Sequence, residues 1–151
     1  MWKGFLMSVE QAANDFVKKM KDSERLKGLV TPDAMASGGV LPQAIPVMQA
    51  MGVVDALAAA MPDLSFDIEK TAVVGDQARV IVRWSGTQSG PLSLPLPGMP
   101  TFPPTGKKVS VKDAFVLTVQ GDRVSHMSVE SPADGGIPAA LEQLGVKSQA
   151  S

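Results

Sequence analysis

The chain has 151 residues, 44% hydrophobic and 19% charged, with a formal net charge of −1. That size suits one domain with a single core over 1–151, and the charge balance supplies no basic field to recruit nucleic acid or an anionic lipid surface. With no cysteine and one histidine, disulfides, thiolate chemistry and a multi-histidine metal centre within one chain are excluded, and no apolar run reaches the ~20 residues of a membrane helix.

The opening Met-Trp-Lys-Gly-Phe-Leu-Met is too short for a secretory signal, so a cytoplasmic location is expected, with Met7 a candidate natural start. Ser8 followed by Gln11 reads as a helix cap. Val9, Ala12, Ala13, Phe16, Val17 and Met20 recur at helical spacing, which predicts an amphipathic helix to about residue 21. A short second helix is expected over 24–29, ending near Gly28 and Pro32, and 35–41 reads as irregular. A helix over 43–61 follows, with Pro46 near its start. Its apolar residues extend nearly all round, so it should be heavily buried. Gly52 marks a candidate bend.

After Pro62 the period changes to two. Leu64, Phe66 and Ile68 share one face, and Ser65, Asp67 and Glu69 the other. Gly75-Asp76 is a hairpin turn. Val80, Val82 and Trp84 then share a face, opposed by Arg79, Ile81 and Arg83. Residues 91–104 are too proline-rich for a sheet interior and read as a rim or lid loop, with Leu92, Leu94, Leu96, Met99 and Phe102 on its apolar side. Strands are expected over 107–120 and 123–130 around a Gly121-Asp122 turn. A second loop spans 132–136, a short helix 137–144, and 146–151 is a tail expected to fray. Helical blocks before a run of antiparallel strands imply an α+β fold, with helices on one face of the sheet and a cavity where the two diverge.

Counting outward from the Gly121-Asp122 turn pairs Leu117 with His126, Phe115 with Ser128 and Asp113 with Glu130, all on one face. Val111, Phe115, Leu117 and Val119 make that face apolar. Two opposed carboxylates among apolar groups would have raised pKa values, which suits Asp113 and Glu130 to general acid/base work, with His126 as a relay. A one-residue register shift exchanges the faces, and Met127 and Val129 make the other face of the last strand an equally apolar choice. Trp84 and Phe115 are candidate ligand-stacking groups. The methionines, Met51 among them, supply a soft lining. Gln88 can hydrogen-bond a ligand carbonyl or hydroxyl but cannot move a proton at neutral pH. No metal site and no cofactor is expected, since the glycine turns lack phosphate-loop spacing.

In order along the chain, Met61-Pro62-Asp63, Gly75-Asp76, Arg83-Trp84, Gly86-Thr87-Gln88-Ser89-Gly90 and Pro103-Pro104-Thr105-Gly106, continued by Gln143-Leu144-Gly145, resemble the SnoaL-like polyketide cyclase family of the nuclear-transport-factor-2-like superfamily. That resemblance implies a cone-shaped antiparallel sheet wrapped on N-terminal helices, a cystatin-like α+β barrel, holding a hydrophobic small-molecule ligand and forming a homodimer through the outer sheet face or strand edges. It also implies cofactor-free proton-transfer chemistry, a cyclisation or isomerisation, on a hydrophobic carbonyl compound. The sequence departs from the family where chemistry is concerned. Gln88 stands where ester-cyclase members commonly carry histidine. The Trp and Asp that those members carry after the last hairpin are missing from Ser128-Val129-Glu130-Ser131-Pro132. A non-catalytic ligand-binding or protein-interaction domain of the same fold is the competing expectation.

Overall fold

A computed structural model describes residues 8–145; the readings of Met7 as a start and of 146–151 as a tail lie outside them. Helix α1 (Val9–Lys18) begins with the capping box read from the sequence. The Gln11 N–H donates to Ser8 Oγ at 3.1 Å, and the Ser8 N–H donates to Gln11 Oε1 at 3.1 Å. Ala12, Ala13, Phe16 and Val17 form its buried stripe. Helix α2 (Ser23–Leu26) and a 3-10 turn (Lys27–Leu29) lead into strand β1 (Val30–Gly38). The 35–41 segment is therefore strand for its first four residues. Its small inward side chains, Ala34 and Ala36, are buried, and its partner is far away in sequence, so local periodicity does not reveal it. Pro32 is accommodated where the ladder is broken, between Val30 and Met35.

A two-residue strand β2 (Ile45–Pro46) precedes helix α3 (Val47–Ala60), which starts four residues later than its composition suggests. Strands β3 (Ser65–Val74), β4 (Gln77–Thr87), β5 (Lys108–Gln120) and β6 (Arg123–Val129) and helix α4 (Gly136–Gln143) complete the chain. One six-stranded sheet has the order β2-β1-β6-β5-β4-β3. All neighbours are antiparallel except β1 and β6, which run parallel, so the expected all-antiparallel sheet is corrected to a mixed one. The sheet is curved and does not close on itself, leaving β2 and β3 as its edges. It is an α+β fold in which α1 and α3 cover the concave face. Phe16 and Val17 of α1 and Val54 and Leu57 of α3 meet Val80, Val82, Leu117 and Val124 of the sheet in one buried cluster.

Two departures from strict pairing set what faces inward. The β5–β6 hairpin opens as read: Gly121 takes φ of 65°, and Gln120 pairs with Arg123 and Val119 with Val124. Ser125 is then an extra residue. Thr118 pairs with His126, Leu117 with Met127 and Phe115 with Val129, so a β-bulge shifts the register by one. Met127 and Val129 thereby turn inward, and His126, Ser128 and Glu130 turn to the outer face. A second bulge at Glu69 separates the Ile68–Val82 pair from the Lys70–Ile81 pair. Past the end of β6, the exposed backbone of β5 is taken up by α4. The Ser110 N–H donates to Gln143 Oε1 at 2.8 Å, and Gln143 Nε2 donates to the Ser110 carbonyl at 3.0 Å. This clamp brings α4 and the loop before it against Asp113.

Candidate functional site

The inward faces of β3 to β6 and the inner side of α3 diverge around a cavity of about 640 Å³, open mouth included. Phe66 of β3, Trp84 of β4, Phe115 of β5, Met127 and Val129 of β6, and Met51, Val54 and Leu57 of α3 form its wall. Gly38, Gly39, Leu41 and Ile137 also line it and, being exposed or half-buried, form its rim. Trp84 is 2% exposed, and its ring centroid lies 6.5 Å from that of Phe66, with the planes tilted by 47°.

Among the described residues Asp113 is the only ionisable side chain that lines this cavity. Strand parity places it there. Val109, Val111, Asp113, Phe115, Leu117 and Val119 alternate inward along β5, and all are buried. Asp113 is 5% exposed. Its Oδ1 accepts from Ser131 Oγ at 2.7 Å and from the Ala114 N–H at 2.9 Å, and its Oδ2 accepts from Trp84 Nε1 at 3.3 Å. Burial pushes the Asp113 pKa above its ordinary value, against the opposing effect of these three donors. A carboxyl that is buried yet hydrogen-bonded in its charged form is held ready both to take up and to release a proton.

The other sequence candidates lie elsewhere. Glu130 is exposed on the outer face and pairs with Arg79 at 2.5 Å. It does not oppose Asp113, because the Ser125 bulge reverses its side. His126 is half-buried on the same outer face, its Nε2 3.2 Å from Ser37 Oγ, and so cannot relay protons for Asp113. Gln88 is fully buried but lies outside the cavity wall. The parity that turns Trp84 inward also turns Gln88 inward, beyond the end of α3, where it meets the proline-rich loop. Its Nε2 donates to the carbonyls of Phe102 and Pro103 at 3.3 and 3.1 Å, and its Oε1 accepts from the Thr105 N–H and Oγ1 at 3.3 and 2.9 Å. Gln88 is thus a fully committed clamp.

The loop it clamps is not a lid. Leu92, Leu94 and Phe102 are buried, but none of 91–104 lines the cavity. The loop lies against the far side of α3, where Pro95 Cγ would be 3.7 Å from a Cβ built on Gly52. Ser131 and the Gly38–Leu41 rim escape sequence reading. Both depend on chain reversals after strand ends, and only the adjoining glycines hint at them. Among the described residues no three His, Asp or Glu side chains converge in a way that could hold a metal ion.

The family model for the SnoaL-like domain matches residues 12–127. The chain belongs to the SnoaL-like domain family. No curated protein matches it. Among solved structures, it is similar to a proposed SnoaL-like polyketide cyclase from Jannaschia sp. CCS1, with 22% identity, TM-score 0.68, and coverage of 94% of this chain and 97% of the other. It is also similar to IdmH, a proposed polyketide cyclase from Streptomyces antibioticus, at 21% identity, TM-score 0.70, and 93% and 100% coverage. TsrD from Streptomyces laurentii gives 20% identity, TM-score 0.69, and 92% and 96% coverage. At these identities the likeness establishes a shared fold, and the chemistry of this SnoaL-like domain has to be argued from its own cavity.

Proposed function

We propose that this SnoaL-like protein is a cofactor-free proton-transfer enzyme acting on a hydrophobic carbonyl compound, a cyclase or isomerase in which Asp113 is the acid/base group. The observation that carries the reading is the placement of Asp113: one buried carboxyl with a raised pKa in a cavity otherwise walled by apolar groups and Ser131. A desolvated carboxylate is a stronger base than one in water, and excluding water protects a carbanion from premature quenching. Trp84 and Phe115 would pack on the flat faces of the ligand, and Met51 would adapt to its outline. Asp113 would remove a proton from carbon next to the carbonyl. The electron pair would move into an enolate, and the same carboxyl would return the proton elsewhere on the molecule.

The competing reading is a non-catalytic binding domain. It is favoured by Gln88, whose hydrogen bonds are all spent on the proline-rich loop at the position where the resembled cyclases carry histidine. In that reading Asp113 is a hydrogen-bond acceptor that orients a ligand hydroxyl. The two readings separate on hydrogen–deuterium exchange of 2-tetralone, a bicyclic ketone with an acidic carbon beside its carbonyl. Exchange accelerated by the wild-type protein and lost in Asp113→Asn supports catalysis. Probe binding with no acceleration leaves the binding reading.

The homodimer expected through the outer sheet face or strand edges and a cytoplasmic location belong to the same proposal. Ile81 and Val116 sit there among Arg79, Arg83 and Lys112, and no described helix is long and apolar enough to cross a membrane. Light scattering that gives the monomer mass at micromolar concentration would remove the dimer.

A further inference from the structure

The two oxygens of Asp113 are not equivalent. A carboxylate offers about four lone-pair directions, two on each oxygen. Oδ1 has both occupied, by the Ser131 hydroxyl at 2.7 Å and the Ala114 N–H at 2.9 Å. Oδ2 has one occupied, by the long 3.3 Å contact from Trp84 Nε1. Among the described residues nothing claims its second lone pair. A Cβ built on Gly136 would stand 3.7 Å from Oδ2.

The short bond on Oδ1 depends on a tightly folded connection. After β6 the chain turns back on itself through 131–136 so that α4 can dock on β5. Gly135 has no room for a side chain, because a Cβ there would lie 2.1 Å from the Lys112 carbonyl oxygen. At Gly136 φ is +67°, and a Cβ would lie 2.5 Å from Ser131 Oγ. The glycine pair therefore lets the loop press Ser131 onto Asp113. Among the described residues no other charged group takes part. Arg79 and Arg83 of β4, Lys112 of β5, His126 and Glu130 of β6, Asp134 of the loop, Glu142 of α4 and Asp55 of α3 all lie outside the cavity wall.

We propose that Ser131 is a positioning residue: by holding Oδ1, it fixes the plane of the Asp113 carboxyl and leaves Oδ2 as the oxygen that carries the proton to and from the ligand. This rests on the proton-transfer reading above. The C–H bond of the ligand breaks toward Oδ2, its electron pair stays on the ligand as the enolate, and the O–H formed at Oδ2 later gives the proton back. Ser131 donates throughout and neither gains nor loses a proton.

The test is a carbon-13 NMR titration of the Asp113 carboxyl in wild type, Ser131→Ala and Ser131→Thr, alongside 2-tetralone exchange over the same pH range. Losing one donor to a charged oxygen should raise the midpoint by about one to two pH units in Ser131→Ala. The exchange profile should move by the same amount, and Ser131→Thr, which keeps the hydroxyl donor, should bring both most of the way back to wild type. A purely structural role would lower the rate at every pH without moving the midpoint. An unmoved midpoint in a folded Ser131→Ala protein overturns the proposal. If that variant does not fold, the wild-type hydroxyl proton of Ser131 serves instead: it should resist solvent exchange and follow the Asp113 titration, and a freely exchanging hydroxyl overturns the proposal equally. The carboxyl titration needs no substrate. A midpoint that moves without any acceleration of 2-tetralone exchange would sink the proton-transfer reading while leaving Ser131 as the group that orients Asp113.

Discussion

Replacing Gln88 with alanine separates a scaffold residue from a ligand-binding one. The side chain is fully buried and makes four hydrogen bonds to the 102–105 segment. Truncation leaves the Pro103 carbonyl and the Thr105 N–H without their partner, while the Phe102 carbonyl keeps the Leu92 N–H at 2.9 Å, and it opens a void at the base of the loop. Thr105 is half-buried and Pro103 exposed, so water rescues part of the loss. Charging mainly the Thr105 N–H, at about 1–3 kcal/mol for an unsatisfied group, plus about 1 kcal/mol for the void, gives roughly 2–4 kcal/mol in all. For a chain of this size that lowers Tm by roughly 4–16 °C. Calorimetry should show this drop, while the 2-tetralone exchange rate, measured well below the transition, stays within about twofold of wild type. An unchanged Tm with weakened probe binding would refute the reasoning and put Gln88 in the binding site.

The remaining predictions concern the sheet and its one buried carboxyl. Folding raises the Asp113 pKa, so it favours the protonated form. Below the ordinary aspartate value both states are protonated and nothing is lost; above it the unfolded chain ionises first. The stability of wild type relative to Asp113→Asn should therefore fall as pH rises through the interval up to the folded midpoint and stay level above it; urea denaturation across that range showing a rise would contradict the burial argument. Glu130→Gln removes only an exposed ion pair with Arg79, so denaturation should register a loss of at most ~1 kcal/mol, and 2-tetralone exchange should be unchanged. Gly38→Ala forces a Cβ to within 2.4 Å of the Val129 carbonyl oxygen at a φ of +87°. It should cost about 3 kcal/mol or more by the same assay, and a neutral effect would mean that β1 and β6 are not in this register.

What could be read from the sequence was what neighbouring residues decide. The Ser8–Gln11 box, the Gly75 and Gly121 turns and the inward alternation of β5 are local signals, and the last of these placed Asp113 on the apolar face of its strand. What could not be read depended on distant partners or on one extra residue. Strand β1 pairs in parallel with the distant β6, Met35 with His126 and Ser37 with Ser128, and its small side chains carry no period that announces it. The bulge at Ser125 has no marker of its own, yet it moves Glu130 and His126 to the outer face and brings Met127 and Val129 to the cavity. The proline-rich loop does have an apolar side. Which surface that side covers is set by Gln88 and the end of α3, through the N–H groups of Ser89 and Gly90 on the Ala60 carbonyl.

The central claim is that one desolvated carboxyl, Asp113, moves the proton. The pH–rate profile of 2-tetralone exchange by the wild-type protein tests it most directly, read beside the NMR midpoint of the Asp113 carboxyl in the same sample. The rate should rise with pH through a single midpoint that lies above the ordinary aspartate value and coincides with the carboxyl titration, then level off. A flat profile, or a midpoint that persists in Asp113→Asn, would contradict it.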